Sequence, residues 1–240
     1  MKLDILVLAA HPDDAELGCA GTILKHAAMG YKVGVIDLTR GELGTRGSAE
    51  IRDKEAAAAA EILGLTVRVN LSLPDGFFEN SREHQLPIIS AIRQYRPEIV
   101  ITNAYHDRHP DHGRANKIVE EACFLSGLRK ITTEIDGAGQ TEWRPKQVLH
   151  FIQDRYIHPD IVIDVTEFWE KKIESIYAYG SQFHNPEWED EPQTYISTPE
   201  FIHVIEARAR EFGKSIGVKF AEGFTSLNIL GVNSLFDLKP

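Results

Sequence analysis

The stretch Leu3-Asp4-Ile5-Leu6-Val7-Leu8-Ala9-Ala10-His11-Pro12-Asp13-Asp14-Ala15-Glu16 sets the reading of the whole chain. Residues 3–10 are apolar apart from Asp4, the pattern of a strand buried on both faces, as strands of parallel sheets are. A polar turn follows at once, and residues 17–29 read as a helix stopped by Gly30. Outward from there, residues 31–38 make a second strand. Residues 49–63 make a helix with an alanine run (Ala56 to Ala60) and Gly64 as its stop. Residues 66–71, 82–95, 98–102 and 111–125 continue as strand, helix, strand and helix, with Pro97 closing the third helix.

Alternation at this spacing predicts the α/β class: a Rossmann-like, mostly parallel sheet flanked by helices, in a three-layer sandwich. The second half is less regular. Strands are expected at 148–153 and 161–165, helices at 166–177 and 199–213, and a polar loop at 184–198. No repeat or linker divides residues 1–240, so one domain is expected. Hydrophobic residues at 42% and charged residues at 26% place the chain among soluble globular proteins. Net charge is −10 with no block of Lys or Arg, which argues against a nucleic-acid partner. The apolar run 5–10 is too short for a signal core or a membrane span. Cys19 and Cys123 are unclustered, which fits a reducing cytoplasm, and both fall on expected helices as small buried residues.

Ligands of open α/β sheets bind beyond the carboxyl ends of the strands. The first strand runs into His11-Pro12-Asp13-Asp14, and the fourth into Tyr105-His106-Asp107-Arg108-His109-Pro110-Asp111-His112. Two loops dense in metal-ligand and acid/base residues therefore fall at one sheet edge. A catalytic zinc needs about three protein ligands and an open position. His11, Asp14 and His112 could supply that set, leaving Asp13 to take a proton. His109 and His112 share a helix face, so one could bind metal while the other works on substrate. The bland alternative is that Asp13 or Asp14 caps the helix that follows.

The Gly41, Gly44 and Gly47 loop matches neither a P-loop nor G-x-G-x-x-G, which argues against nucleotide binding. It is expected to line the pocket, with Arg46 or Arg52 reaching a substrate oxygen; an Arg fork suits a carboxylate. Trp169 reads as core. Trp188, in the polar loop with His184 and Tyr195, is expected to stack on a ligand ring or pack at an interface, and Gln182, Phe183 and His184 to close the pocket. The alanine run reads as a face packed on the sheet.

Ala10-His11-Pro12-Asp13-Asp14-Ala15-Glu16 followed by His109-Pro110-Asp111-His112 resembles the paired signature of the PIG-L/LmbE-like zinc deacetylases. Thr39 to Arg46, Arg52 with Glu55, and Ala221-Glu222-Gly223-Phe224 also look like that family, so the similarity spans most of the chain. Among its members the chain looks most like those that deacetylate N-acetylglucosaminyl malate in bacillithiol biosynthesis. The resemblance implies one Zn2+ per chain on His11, Asp14 and His112, Asp13 as general base, and His109 as electrophilic or acid partner. Asp111 would hold His109 charged from behind. Arg52 and Asp75 are implied as sugar contacts, and a homo-oligomer, a hexamer among the assemblies, as the quaternary state. The small-molecule partner is an N-acetylated sugar; a chitooligosaccharide, glycolipid or antibiotic precursor is the alternative, and a non-catalytic metal-binding protein the second. A His/His/Asp set also serves iron or cobalt. Where some relatives place a tyrosine two positions before the catalytic histidine, Asp107 stands here, so a tyrosine at the oxyanion site comes from elsewhere, Tyr195, or is absent.

Overall fold

The computed structural model describes residues 1–188 and 190–238. Its centre is a seven-stranded sheet in the order β3-β2-β1-β4-β7-β9-β8. The strands are β1 (Ile5–Ala9), β2 (Val33–Asp37), β3 (Val67–Asn70), β4 (Ile99–Asn103), β7 (Gln147–Phe151), β8 (Ile161–Asp164) and β9 (Ala221–Thr225), with a small hairpin, β5 (Glu134–Ile135) and β6 (Ala138–Gly139), apart. The helices are α1 (Asp14–Ala28), α2 (Ala49–Leu63), α3 (Arg82–Tyr95), α4 (Pro110–Leu125), α5 (Trp169–Tyr177) and α6 (Phe201–Ser215).

Strand β1 pairs parallel with both β2 and β4. Alternation along it separates two cores: Leu6 and Leu8 pack with Ile88 and Ile92 of α3 and Ile118 of α4. Ile5, Val7 and Ala9 pack with Ala20 and Ile23 of α1 on the other face. All five residues of β1 are buried, as a strand covered on both sides requires. The three-layer, mostly parallel α/β fold is therefore as expected. Between β1 and β4 the strand order reverses, which puts a ligand crevice at their carboxyl ends.

Strand β9 was not anticipated. It runs antiparallel between β7 and β8, with Phe151 opposite Phe224 and Ile163 opposite Glu222. The alanine run does not pack on the sheet either: only Ala56 and Ala59 are fully buried, against Leu17, Trp169 and Ile176 of α1 and α5. The segment expected as a helix from 166 starts with a 3-10 turn (Thr166–Phe168) before α5. The expected loop 184–198 carries one short 3-10 turn; Glu189 in it lies outside the described residues. Among the described residues no helix is long and apolar enough to cross a membrane.

Helix α1 begins at Asp14, three residues before the expected start, and is kinked at Cys19, whose backbone leaves the helical region (φ −148°, ψ 19°). The kink has a side-chain cause. The Leu17 carbonyl and the Gly21 N–H, partners in an unbroken helix, are both diverted. Glu222 of β9 accepts from Gly21 N (2.9 Å) and Thr22 N (2.7 Å), while Lys172 Nζ of α5 donates to Leu17 O (2.8 Å). Lys172 and Glu222 close the splice with a 2.6 Å ion pair, each side chain 3% exposed. Gly18 beside the kink lies against the Phe151 ring, leaving no room for a Cβ. The splice follows the first turn of α1, which begins at Asp14 beside the crevice.

Candidate metal centre

His11, Asp13 and Asp14 come from the β1–α1 turn, and His109 and His112 from the start of α4 after β4. Asn103 at the end of β4 ties the two together: its Oδ1 accepts from Ala10 N (2.9 Å) and its Nδ2 donates to Asp14 Oδ2 (3.1 Å). The Asp14 carboxylate also accepts from His11 N (3.0 Å) and Gln153 Nε2 (2.8 Å). It faces both imidazoles, with Oδ2 3.4 Å from His11 Nδ1 and Oδ1 3.1 Å from His112 Nε2. Neither aspartate caps α1: Asp13 stands at the N-cap but its side chain makes no capping bond to the helix, and Asp14 turns back to His11. Asp13 instead takes a left-handed backbone (φ 117°), a conformation that costs a non-glycine residue ~1–3 kcal/mol and is found where structure serves function.

Among the described residues two trios of donor atoms lie within 4.8 Å of one another, His11/His109/His112 and His11/Asp75/Asp111. The outer contacts distinguish the roles open to each. His112 Nδ1 is held by Asp107 Oδ2 at 2.6 Å. His11 Nε2 is held by Asp75 (3.1 Å) and Asp111 (3.3 Å). Each of these rings has a carboxylate behind one nitrogen and turns the other toward Asp14, the arrangement that fixes the tautomer and basicity of metal-bound histidines. His109 differs: its Nδ1 accepts from the Asp111 N–H (3.3 Å), so a backbone donor, not a carboxylate, stands behind it. Neither trio contains Asp14, whose two oxygens face different imidazoles; by donor type and outer support His11, Asp14 and His112 could hold a divalent cation, and His109 reads as a neutral imidazole with its proton on Nε2.

Protonation in the metal-free chain follows the same contacts. Burial opposes a charged His11, but hydrogen bonds to Asp111, Asp14 and Asp75 hold it well above the usual imidazole range. Burial likewise opposes charge on His112, yet Asp14 and Asp107 push it up to about 9. Burial would raise Asp14, but His112 and His11 hold it well below the usual carboxylate range. Burial lifts Asp13 to about 7 against the pull of Arg52. Burial and then the neighbouring His11 and His112 lower His109. Asp111 was expected to keep His109 charged. It does not: its carboxylate faces His11, Gly76 N and Arg114.

The cleft over these residues measures about 480 Å3. Arg52 lines it, with Nη2 on Asp13 Oδ2 (2.6 Å) and Pro12 O (2.6 Å). Gly41 (φ 64°) makes room for that guanidinium, which a Cβ would strike. Asp75 lines the cleft, but its Oδ1 is on His11 and its Oδ2 accepts from Leu43 N (2.9 Å), so it supports a histidine rather than standing free for a sugar. Tyr195 sits at the rim with the Arg108 guanidinium over its ring (4.7 Å). Arg46 is not brought to the cleft: Nη2 donates to Trp188 O (2.8 Å) beside a separate pocket that Trp188 and His184 also line. Gln182 reaches the cleft, whereas Phe183 is core. Sequence reading did not single out Asn103 or Gln153, or the Glu16–Arg68–Asp37 network under the α1 turn (2.5 and 2.9 Å). Glu16 was quoted only as part of a motif, and Gln153 carried no signal.

The switch-point loops of this parallel α/β sheet bring two carboxylate-backed imidazoles onto one aspartate, a group of donors that could hold a divalent cation. The chain belongs to the PIG-L family, described as GlcNAc-PI de-N-acetylase, whose pattern matches residues 6–123. It is 30% identical to diacetylchitobiose deacetylase of Thermococcus kodakarensis, covering 91% of this chain and 81% of that protein. It is 28% identical to 4-oxalmesaconate hydratase of Pseudomonas putida (75% and 74% covered) and 29% identical to a probable N-acetyl-alpha-D-glucosaminyl L-malate deacetylase 2 of Bacillus anthracis (75% and 81%). The crystal structure of a conserved protein, TT1542, from Thermus thermophilus superposes with a TM-score of 0.85 at 36% identity, covering 96% of this chain and 98% of that one.

Proposed function

We propose that the chain hydrolyses the acetamide of an N-acetylglucosamine conjugate, releasing acetate and a free amine, with N-acetylglucosaminyl malate as substrate. The observation that carries this is the pair of carboxylate-backed imidazoles around Asp14, with Asp13 lifted to about 7 in the same cleft. His11, Asp14 and His112 would hold one Zn2+, which when bound supplies Lewis acidity and an acidified water. Asp13 takes the proton of the attacking water; a base poised near neutrality is the one best matched to that task. His109, neutral and protonated on Nε2, donates to the oxygen that gains negative charge as the acetyl carbon becomes tetrahedral. The proton on Asp13 then passes to the departing amine. Arg52 holds Asp13 in place, and Asp75 fixes His11. With Arg46 turned to Trp188, the guanidiniums lining the cleft are Arg52 and Arg108. Arg52 is buried and held to Asp13 at 2.6 Å, whereas Arg108 is half exposed with a looser 3.6 Å contact to Asp154, so a malate carboxylate would meet Arg108 beside Tyr195.

The support from relatives is the deacetylase named for malate and the one named for diacetylchitobiose. The test is acetate release by metal-loaded protein from N-acetylglucosaminyl malate, N,N'-diacetylchitobiose and free N-acetylglucosamine, with metal content measured alongside. Preference for the malate conjugate is expected. Preference for chitobiose would overturn the substrate, and hydration of an unsaturated acid without amide cleavage would overturn the reaction.

A further inference from the structure

A pocket of about 20 Å3, which shares Gln153 and Leu17 with the cleft, is lined also by Arg208 and the Lys172–Glu222 pair. Two side-chain atoms of its lining are buried and unpartnered: Gln153 Oε1 and Arg208 Nη1. Gln153 also lines the cleft, so it forms the wall between the two spaces. Its orientation is not free. Asp14 Oδ1 accepts the Gln153 Nε2 bond at 2.8 Å, and a carboxylate that already faces two imidazoles cannot take a carbonyl against it. The amide oxygen therefore turns away from Asp14, and the pocket that Gln153 shares with Arg208 is where this buried acceptor and the buried Arg208 donor can meet one water. Arg208 is itself fixed, with Nη2 on Asp154 O at 2.9 Å. A buried acceptor and a buried donor left without partners are costly, and a water that would satisfy both needs roughly 10–15 Å3 and at least two polar partners.

We propose that Gln153 is a positioning residue for Asp14, its amide locked by a water shared between Gln153 Oε1 and Arg208 Nη1. Arg208 of α6 thereby steadies a carboxylate of the metal centre that it does not touch. This rests on the reading of Asp14 as a metal ligand.

The test is the zinc dissociation constant of the full chain, measured by chelator competition, with far-UV circular dichroism to confirm folding. Outer partners of metal ligands change affinity by ~10–100-fold, and Gln153→Leu should weaken zinc within that range. Arg208→Met should weaken it less, and the double variant should be no worse than Gln153→Leu alone, since both act through one bond. Arg208→Lys, which can still donate to the water, should restore affinity. In the cobalt-loaded protein, Gln153→Leu should shift the visible absorption bands. Should Gln153→Leu fail to fold, Gln153→Met, closer in length, serves the same purpose. Unchanged zinc affinity on loss of Gln153 would overturn the proposal, as would additive losses in the double variant. Asp14→Ala separates the two levels: if it keeps zinc at parental affinity, the reading of the metal centre fails; if it loses zinc while the Gln153 variants do not, only the positioning role fails.

Discussion

Lys172→Met removes the cation from the splice that replaces one turn of hydrogen bonding in α1. Glu222 would be left as a buried carboxylate and Leu17 O without its partner. Breaking one side of a buried ion pair costs ~3–5 kcal/mol. Glu222 keeps two backbone donors, Gly21 and Thr22, which moves the loss to the lower end, ~3 kcal/mol. At ~2–4 °C per kcal/mol for a chain of this size, the melting temperature should fall by about 6–12 °C. Thermal unfolding followed by far-UV circular dichroism at neutral pH measures it. Adding Glu222→Gln removes the stranded charge while its amide oxygen still accepts one N–H, so the double variant should melt above the single one. A single variant within about 2 °C of the parent, or a double variant less stable than the single, would refute the reasoning.

Asp13→Ala should keep zinc bound yet lower turnover by ~2–4 orders of magnitude; full activity with zinc in place would remove Asp13 as the base. Gly41→Ala, strained at its positive φ and pressed on Arg52, should loosen the Arg52–Asp13 bond. Arg52 lowers the Asp13 pKa, so the acid limb of the kcat/KM profile should move to higher pH, and an unmoved limb would count against the pairing. In the metal-free protein, His112 at about 9 and Asp13 at about 7 both stand above their ordinary values. Groups raised on folding stabilise at low pH and lose that contribution as pH climbs through the folded value. The melting temperature of the metal-free chain should therefore drop first between roughly pH 4 and 7, through Asp13, and again between roughly pH 6.5 and 9, through His112. Zinc, which needs His112 neutral, should bind with proton release over the second interval; calorimetry in buffers of different ionisation enthalpy reads that, and binding without proton release would contradict the assignment.

The sequence was enough for what depends on local order. The run from Leu3 to Ala10 has the length and continuous apolar pattern of a strand covered on both faces, and the alternation after it favours right-handed crossovers of a parallel sheet. Because functional loops follow the carboxyl ends of strands, His11, Asp13, Asp14, His109 and His112 could be placed together without coordinates. Asp136-Gly137, left-handed at both positions (φ 51° and 76°), was a hairpin signal left unread. The small hairpin β5–β6 is what it makes.

Tertiary structure alone decided which groups stand behind the cluster. Arg46 and Arg52 lie six positions apart and look alike in sequence, yet one turns to a loop carbonyl and the other to Asp13. Asp111 was near His109 in the chain but faces His11, because helix α4 carries its carboxylate away from the capping imidazole. Gln153, Lys172 and Glu222 reach α1 from 139 to 201 residues away. Hydrogen-bond partners of that kind are chosen by where strands and helices pack, and no local periodicity records them. Residue type and loop position are written along the chain; the direction in which a charge points is set only when the layers close.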